Sequence, residues 1–316
     1  MLKKRRRKLF LENVRQAATQ VSVLYIMVAV GFICDKAKLF TEKAARMLVD
    51  FLLYLVVPCM LVRSFTRTEF SKHNLLMFLL SLLLAFATHF IAIALNIPFF
   101  RKKSEDNPIY KFASIYGNVG FMALPLASEI LGDEGVFYCA NGVIAFNIIT
   151  FIHGVRLMSR DKFKLNFKNL ILNPGIISVI IGLPLFLLQV KLPVLIERPM
   201  SYLAELNTPL AMLIFGTYLA NTDLRTMFTD KKIYLTAFLK LLVMPLLCIG
   251  IYRLCGVTGT LLVACAITAC VPSANNTFMF SSKYGRDAGL ASKTVALVSF
   301  FSIITMPVVI AIAQSF

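Results

Sequence analysis

GNVGFMALPL (residues 117–126) and CVPSANNTF (residues 270–278) each put glycine, proline or asparagine into the middle of a long apolar run, where an intact membrane helix avoids them. A helix broken in hydrocarbon exposes N–H and C=O groups, which are tolerated only where they line a cavity or find other partners. One such interruption is ordinary, because Gly and Pro are common in membrane helices. Two at corresponding places are a pattern.

The surrounding composition fixes the setting. The chain has 316 residues, of which 58% are hydrophobic and only 16% charged, with a mean hydropathy of +0.77. A soluble domain carries about 25% charged residues. Thirty-three Lys and Arg against 16 Asp and Glu give a net charge of +17. The basic residues sit in short clusters between apolar runs, which fits loops facing anionic lipid rather than a nucleic-acid surface. The 7 cysteines lie in or beside apolar runs without metal-ligand spacing. The basic start MLKKRRRK lacks a following cleavage pattern and reads as part of the mature protein.

A span needs about 20 mostly apolar residues. Ten candidates meet this, at 14–34, 43–64, 75–99, 109–131, 135–157, 174–190, 200–220, 233–254, 258–281 and 288–313. The interrupted spans are the fourth of the first five and the fourth of the second five. Pro58 and Pro209 lie centrally in the second span of each half, and LGDEGV and YGRDAGL follow the two broken spans with Gly132 and Gly285 at equivalent places. The expected fold is therefore an all-α integral membrane protein with ten transmembrane helices in two inverted five-helix repeats, residues 1–160 and 161–316. An odd number of spans per repeat forces opposite insertion, and an inverted repeat with discontinuous helices points to a secondary transporter.

Loops after odd-numbered spans hold nineteen Lys and Arg (among them Arg46, Lys102, Lys103, Arg160, Lys162, Lys164 and Lys168), against six after even-numbered spans. This places the odd loops in the cytoplasm and both termini outside. The basic tail, Lys3 to Lys8 with Arg15, opposes that assignment and raises the outer count to thirteen.

Asn118 and Asn275 or Asn276 stand where a side-chain oxygen can cap a second half-helix. Two half-helix N-termini, each with about half a positive charge, and asparagine amides make a site suited to a carboxylate. Gly117, Gly120, Ser273 and Thr277 complete this candidate substrate site, with the glycines allowing close backbone approach. Pro125 and Pro272 remove ladder donors and are expected to hold the breaks, while Pro58 and Pro209 read as kinks. Asp50 and Lys240 are intramembrane ionisable residues at similar depth. They can form an ion pair or serve ion coupling, or Lys240 can snorkel and Asp50 sit in a solvated vestibule. Glu129 and Glu205 read as solvated carboxylates, and His89 and His153 as packed or interfacial histidines.

Further motifs widen the match. LVVPCMLVRSF (55–65), GNVGFMALPL with Gly132, NPGIISVIIGLPL (173–185), LNTPLAML (206–213) and VPSANNTFMFSSKYGRDAGLASKTV (271–295) together resemble the auxin efflux carrier family, over nearly the whole chain. Its bacterial members are usually described as carriers of malonate or related organic acids. The resemblance implies a scaffold of spans 1, 2, 6 and 7, a transport domain of spans 3–5 and 8–10, a substrate site where helices four and nine cross, and a homodimer in the cell membrane. Plant members have a proline where this chain has Asn275, Asn276 and Thr277, so plant-type auxin recognition does not carry over. The short segment from Met158 to Asn173 likewise replaces the long regulatory loop of plant members.

HExxH, GxSxG and P-loop signatures are absent from the sequence, so hydrolytic and nucleotide-driven chemistry is not expected. The expected activity is secondary transport of small organic anions by an elevator-like movement, without a cofactor, coupled to Na⁺ or H⁺ or driven by the substrate gradient. The alternatives are a carboxylate-binding membrane sensor with a transporter fold, or a carrier of neutral or cationic compounds.

Overall fold

In the computed structural model the described residues are 2–101, 104–159, 171–223 and 225–316, with the side chains of residues 2–9 and 42 also outside the description. The basic loop residues Lys102, Lys103, Arg160, Lys162, Lys164 and Lys168 and the side chains of the basic tail thus fall outside it, as does the boundary expected between the two halves. Helix is the only regular secondary structure among the described residues, with one isolated β-bridge.

The helices, in chain order, are α1 (Leu2–Lys36), α2 (Lys43–Arg67), α3 (Lys72–Asn96) and α4 (Asn107–Ile115). The following helical stretch, Val119–Met158, is two helices, because Gly132 within it adopts φ 66° and ψ −154°. These are α5 (119–131) and α6 (133–158). Then come α7 (Pro174–Leu187), α8 (Val194–Ala220), α9 (Lys231–Leu254), α10 (Gly259–Cys270), α11 (Asn276–Lys283) and α12 (Ala288–Gln314). Seven helical stretches among the described residues are long and apolar enough to cross a membrane, and α7 and α10 are shorter apolar helices. The chain is a multi-pass membrane protein.

Short polar signals set the helix starts. Ser71 accepts a bond from Asn74 N at 2.9 Å, Asn173 from Gly175 N at 3.0 Å, Asp230 from Lys232 N at 2.8 Å and Asp287 from Leu290 N at 2.8 Å. Gly132 and Gly285 (φ 63°) occupy the left-handed region in the turns after the two broken segments, where a β-carbon would be strained.

Three of the prolines inside the helices follow π-turns. One at Leu52–Val56 precedes Pro58, one at Val119–Ala123 precedes Pro125, and one at Leu239–Val243 precedes Pro245. A proline lacks an N–H and its ring crowds the carbonyl four residues back, and the wider turn accommodates both. Pro125 therefore stands beyond the break rather than in it, unlike the expectation. Pro209 lies in the first turn of the second part of α8, just after the helix is interrupted at Leu206.

Close packing depends on small residues, as it does wherever lipid supplies no hydrophobic drive between helices. α1 runs against α8 at Gly31 and Gly216, where an added β-carbon would stand 2.3 Å from Leu213 O and 2.1 Å from Val28 O. α2 meets α7 where Gly182 faces the Phe65 ring. α6 packs between α3 and α10, with Asn141 donating to Phe78 O at 2.8 Å and to Ser81 Oγ at 2.6 Å. A fully apolar seam would leave that amide unsatisfied.

Candidate functional site at the crossing of two broken helices

The chain leaves α4 at Ile115 and α10 at Cys270, and the two extended segments that follow run antiparallel past one another. Gly117 and Ser273 form the bridge. Asn118 N donates to Pro272 O at 2.8 Å, and Ala274 N donates to Tyr116 O at 2.9 Å. Each break thereby satisfies backbone groups that the other exposes, which meets the demand hydrocarbon places on a discontinuous helix. Pro272 has no N–H to satisfy and uses only its carbonyl here.

The ends of the first half-helices are also covered. Ser273 Oγ donates to Ala113 O at 2.7 Å in the last turn of α4, and Lys240 Nζ donates to Ala269 O at 3.2 Å in the last turn of α10. Gly117 leaves room for this arrangement, since a β-carbon there would stand 2.9 Å from Lys240 Nζ and 3.1 Å from Val271 Cγ2 and would press on both side chains.

Beyond the bridge the second half-helices begin. Asn118 Oδ1 accepts from Phe121 N at 3.3 Å, capping α5. Its Nδ2 is buried without a partner. Asn275 precedes α11 with helical φ and ψ and makes no capping bond through its side chain, and Asn276 is the first helical residue. The expected symmetry of asparagine caps is thus not observed: the second break turns directly into its helix.

A cavity of about 250 Å³ opens at the crossing. Gly117, Asn118, Gly120 and Asn276 line it from the crossing, and Asp50, Tyr54, Asn147 and Asn173 line it from α2, α6 and the start of α7. Asn173 Nδ2 donates to Asn147 Oδ1 at 3.0 Å. A larger cavity of about 540 Å³ lies between α2, α8, α11 and α12, with Arg46, Tyr218, Thr222, Asn275, Met279 and Ser292 on its walls. Adjacent asparagines therefore face different spaces, Asn276 the smaller cavity and Asn275 the larger.

Other sequence-predicted residues lie elsewhere. Ser273 is fully buried behind the bridge, and Thr277 is buried with its hydroxyl unpartnered. Lys240 is fully buried, so it does not snorkel. Asp50 is an exposed wall of the smaller cavity, and no ion pair joins it to Lys240 among the described residues. The π-turn at Leu239–Val243 aims the lysine inward against α10 rather than across toward α2. His89 is buried with Nδ1 against Ala85 O at 2.8 Å, and His153 Nδ1 meets Tyr116 OH at 2.8 Å.

Two features escape the sequence pattern. The Asn147–Asn173 pair is one, although Asn before Pro at a helix start is a recognisable capping signal. The other is an ion-pair cluster at the opposite end of α2 from Asp50. Arg63 Nη2 lies 3.2 Å from Asp133 Oδ1, Arg67 Nη1 lies 3.3 Å from Asp133 Oδ2, and Arg67 Nη2 lies 3.3 Å from Glu197. Glu205 stands 3.7 Å from Arg63. Asp133 follows Gly132 in the α5–α6 turn, so this cluster ties α2 and α8 to the body that carries the first break.

The sequence profile of a family described as "Membrane transport protein" matches residues 16–169 and 162–310. The chain belongs to this family of transporters. It corresponds to the auxin efflux carrier family indicated by the motifs. The transporter is 24% identical over 301 residues to "Uncharacterized transporter MJ1031" of Methanocaldococcus jannaschii, covering 90% of this chain and 95% of the relative. It is 23% identical to a Rhizobium meliloti protein named "Putative malonate transporter", covering 89% and 90% of the two chains. "Uncharacterized transporter YfdV" of Escherichia coli is similar at 22% identity, covering 92% and 96%. These relatives are transporters, not enzymes.

Proposed function

We propose that this transporter is a secondary carrier of small organic anions, with the carboxylate held in the cavity at the crossing. The observation that carries the reading is Asn118 at the start of α5, which lines a cavity the size of a small metabolite and whose buried Nδ2 has no partner. An unpaired buried donor is costly, and a carboxylate oxygen would satisfy it while gaining from the partial positive charge of the helix start. The similarity to a relative whose name includes malonate agrees with a small dicarboxylate as substrate.

The transporter works, in this proposal, as two inverted five-helix repeats of ten spans, with α4–α5 and α10–α11 as the broken fourth and ninth. Support comes from the bridge between residues 117 and 273 and from the recurring left-handed glycines 132 and 285. A transport body of spans 3–5 and 8–10 moves against a scaffold of spans 1, 2, 6 and 7 in an elevator-like step. Homodimerisation through that scaffold, insertion in the cell membrane and cytoplasmic odd-numbered loops belong to the same proposal. Asp50 places a carboxylate on the wall of the anion cavity. A proton or Na⁺ entering with the substrate offsets the repulsion between them, which makes Asp50 the candidate coupling residue.

Purified protein in liposomes tests this. Uptake of radiolabelled malonate, dependent on an imposed H⁺ or Na⁺ gradient and reduced at least about tenfold in apparent affinity by Asn118→Ala, is the expected result, given the worth of a hydrogen bond to a charged group. Saturable malonate binding with no flux under either gradient would overturn the transport reading in favour of a sensor. Equal uptake of malonate and its diamide would remove the anion from the proposal.

A further inference from the structure

Lys240 presents a problem that the crossing alone does not solve. Its side chain is fully buried, and its Nζ donates to the carbonyl of Ala269. The space beside it, about 10 Å³, has room for about one water molecule, and the walls include Thr88, His89, Gly117, Met244 and Thr268 but no carboxylate. The partial negative charge at the end of α10 offsets part of the ammonium charge, about half a unit. A buried cation with the remainder uncompensated is expensive and marks function in a membrane protein.

The position of Lys240 indicates where the compensation comes from. Gly117 separates the two spaces and borders both: the lysine cavity on one side and the anion cavity on the other. Its missing β-carbon lets Nζ press against the backbone of the segment that carries Asn118. The π-turn at Leu239–Val243 places the side chain there.

We propose that Lys240 is the fixed counter-charge of the bound carboxylate, a specificity-determining positioning residue that acts through the Gly117 backbone without touching the substrate. This rests on the anion-carrier reading and adds the origin of its charge selectivity. The field of the ammonium reaches the anion cavity across the Gly117 backbone, which borders both spaces. At an effective dielectric of about 20, a unit charge roughly 8–12 Å away favours an anion over a neutral isostere by roughly ten- to thirtyfold in affinity.

The test is malonate and malonamide binding to the detergent-purified, full-length protein by calorimetry, in wild type, Lys240→Met and Lys240→Gln. Methionine removes both the charge and the bond to Ala269, whereas glutamine keeps a donor and removes only the charge. Expected is a roughly ten- to thirtyfold loss of malonate affinity in either variant, with malonamide affinity unchanged. Wild-type malonate affinity in Lys240→Gln would overturn the proposal by showing that the hydrogen bond, not the charge, matters. Equal losses for malonate and malonamide would overturn it in favour of a purely structural cap. If wild type binds malonate and neither variant weakens it, the counter-charge fails while the carrier reading stands. If wild type binds no malonate, the carrier reading fails and takes the counter-charge with it.

Discussion

Asp133→Asn tests whether the ion-pair cluster at the far end of α2 holds one conformation of the transporter. Asp133 is 26% exposed and faces two arginines, Arg63 at 10% and Arg67 at 43% side-chain exposure. An exposed ion pair contributes about 0–1 kcal/mol, and breaking a fully buried one costs about 3–5 kcal/mol. The Arg63 pair falls between these limits at about 1.5 kcal/mol, and the more solvated Arg67 pair adds about 0.5 kcal/mol. Glu205 is 68% exposed and 3.7 Å from Arg63, so it replaces little of what is lost. About 2 kcal/mol is roughly a thirtyfold shift in a two-state equilibrium. The cavity at the crossing lies toward the Asp50 end of α2, and the cluster stands at the other end. In the proposed elevator-like step, weakening the cluster is expected to move the population toward the conformation open on the cluster side. A reporter Tyr54→Cys on the cavity wall, in a background where the partly exposed or exposed Cys34, Cys59 and Cys255 are serine, reads this through a membrane-impermeant maleimide. The ratio of labelling from the two sides of oriented vesicles is expected to change by up to about thirtyfold in Asp133→Asn, and to return most of the way in Asp133→Glu. A ratio within about twofold of wild type in the asparagine variant would refute the latch and the magnitude assigned to it.

The remaining predictions concern stability. Gly216→Ala forces a β-carbon to 2.1 Å from Val28 O, so α1 and α8 must separate; a cost of about 1–3 kcal/mol is expected as a lower thermal midpoint in detergent. Gly132→Val puts a β-branched residue at φ 66° and is expected to cost about 1–2 kcal/mol, whereas Gly250→Ala, with open space and ordinary φ, is expected to be neutral in the same melts. Asn173→Ala removes the cap of α7 and the bond to Asn147 together, for about 1–2 kcal/mol, and hydrogen exchange should show the loosening confined to the first turn of α7. Protection unchanged at Gly175 and Ile176 would contradict that assignment.

The two broken helices were legible from sequence because Gly117, Asn118, Pro272 and the adjacent Asn275 and Asn276 are residue types that apolar helices exclude. Membership of a transporter family was legible from the order of five motifs. That the chain is built of apolar membrane-crossing helices was legible from hydropathy, whereas the short lengths of α4, α7, α10 and α11 were not. What the sequence did not disclose is pairwise. Nothing local to Asp133 points to Arg63 and Arg67 some seventy residues earlier, because a turn aspartate is compatible with plain solvation. Lys240 was visible as an intramembrane charge, but neither of the alternatives offered for it, pairing with Asp50 or snorkelling, is what the fold shows: depth along the chain says nothing of rotation, and a π-turn rotates the helix out of its regular phase. Asn275 and Asn276 could not be told apart, because a cap is decided by φ and ψ at the helix start rather than by residue type. Pro125 was assigned to the break because a proline usually marks one, whereas the π-turn before it lets the helix run on.

The bridge between residues 117 and 273 also has a history in time. When the first break leaves the ribosome, Tyr116 O and Asn118 N have no partners, since those are Ala274 and Pro272, more than 150 residues further on. At roughly 5–20 residues per second, the gap lasts on the order of ten to thirty seconds. For that interval the nascent protein carries a loose, polar seam that must stay hydrated or be sheltered by insertion machinery. A chain truncated before residue 270 never closes it, so such fragments are expected to be cleared by quality-control proteases rather than accumulate as half-carriers.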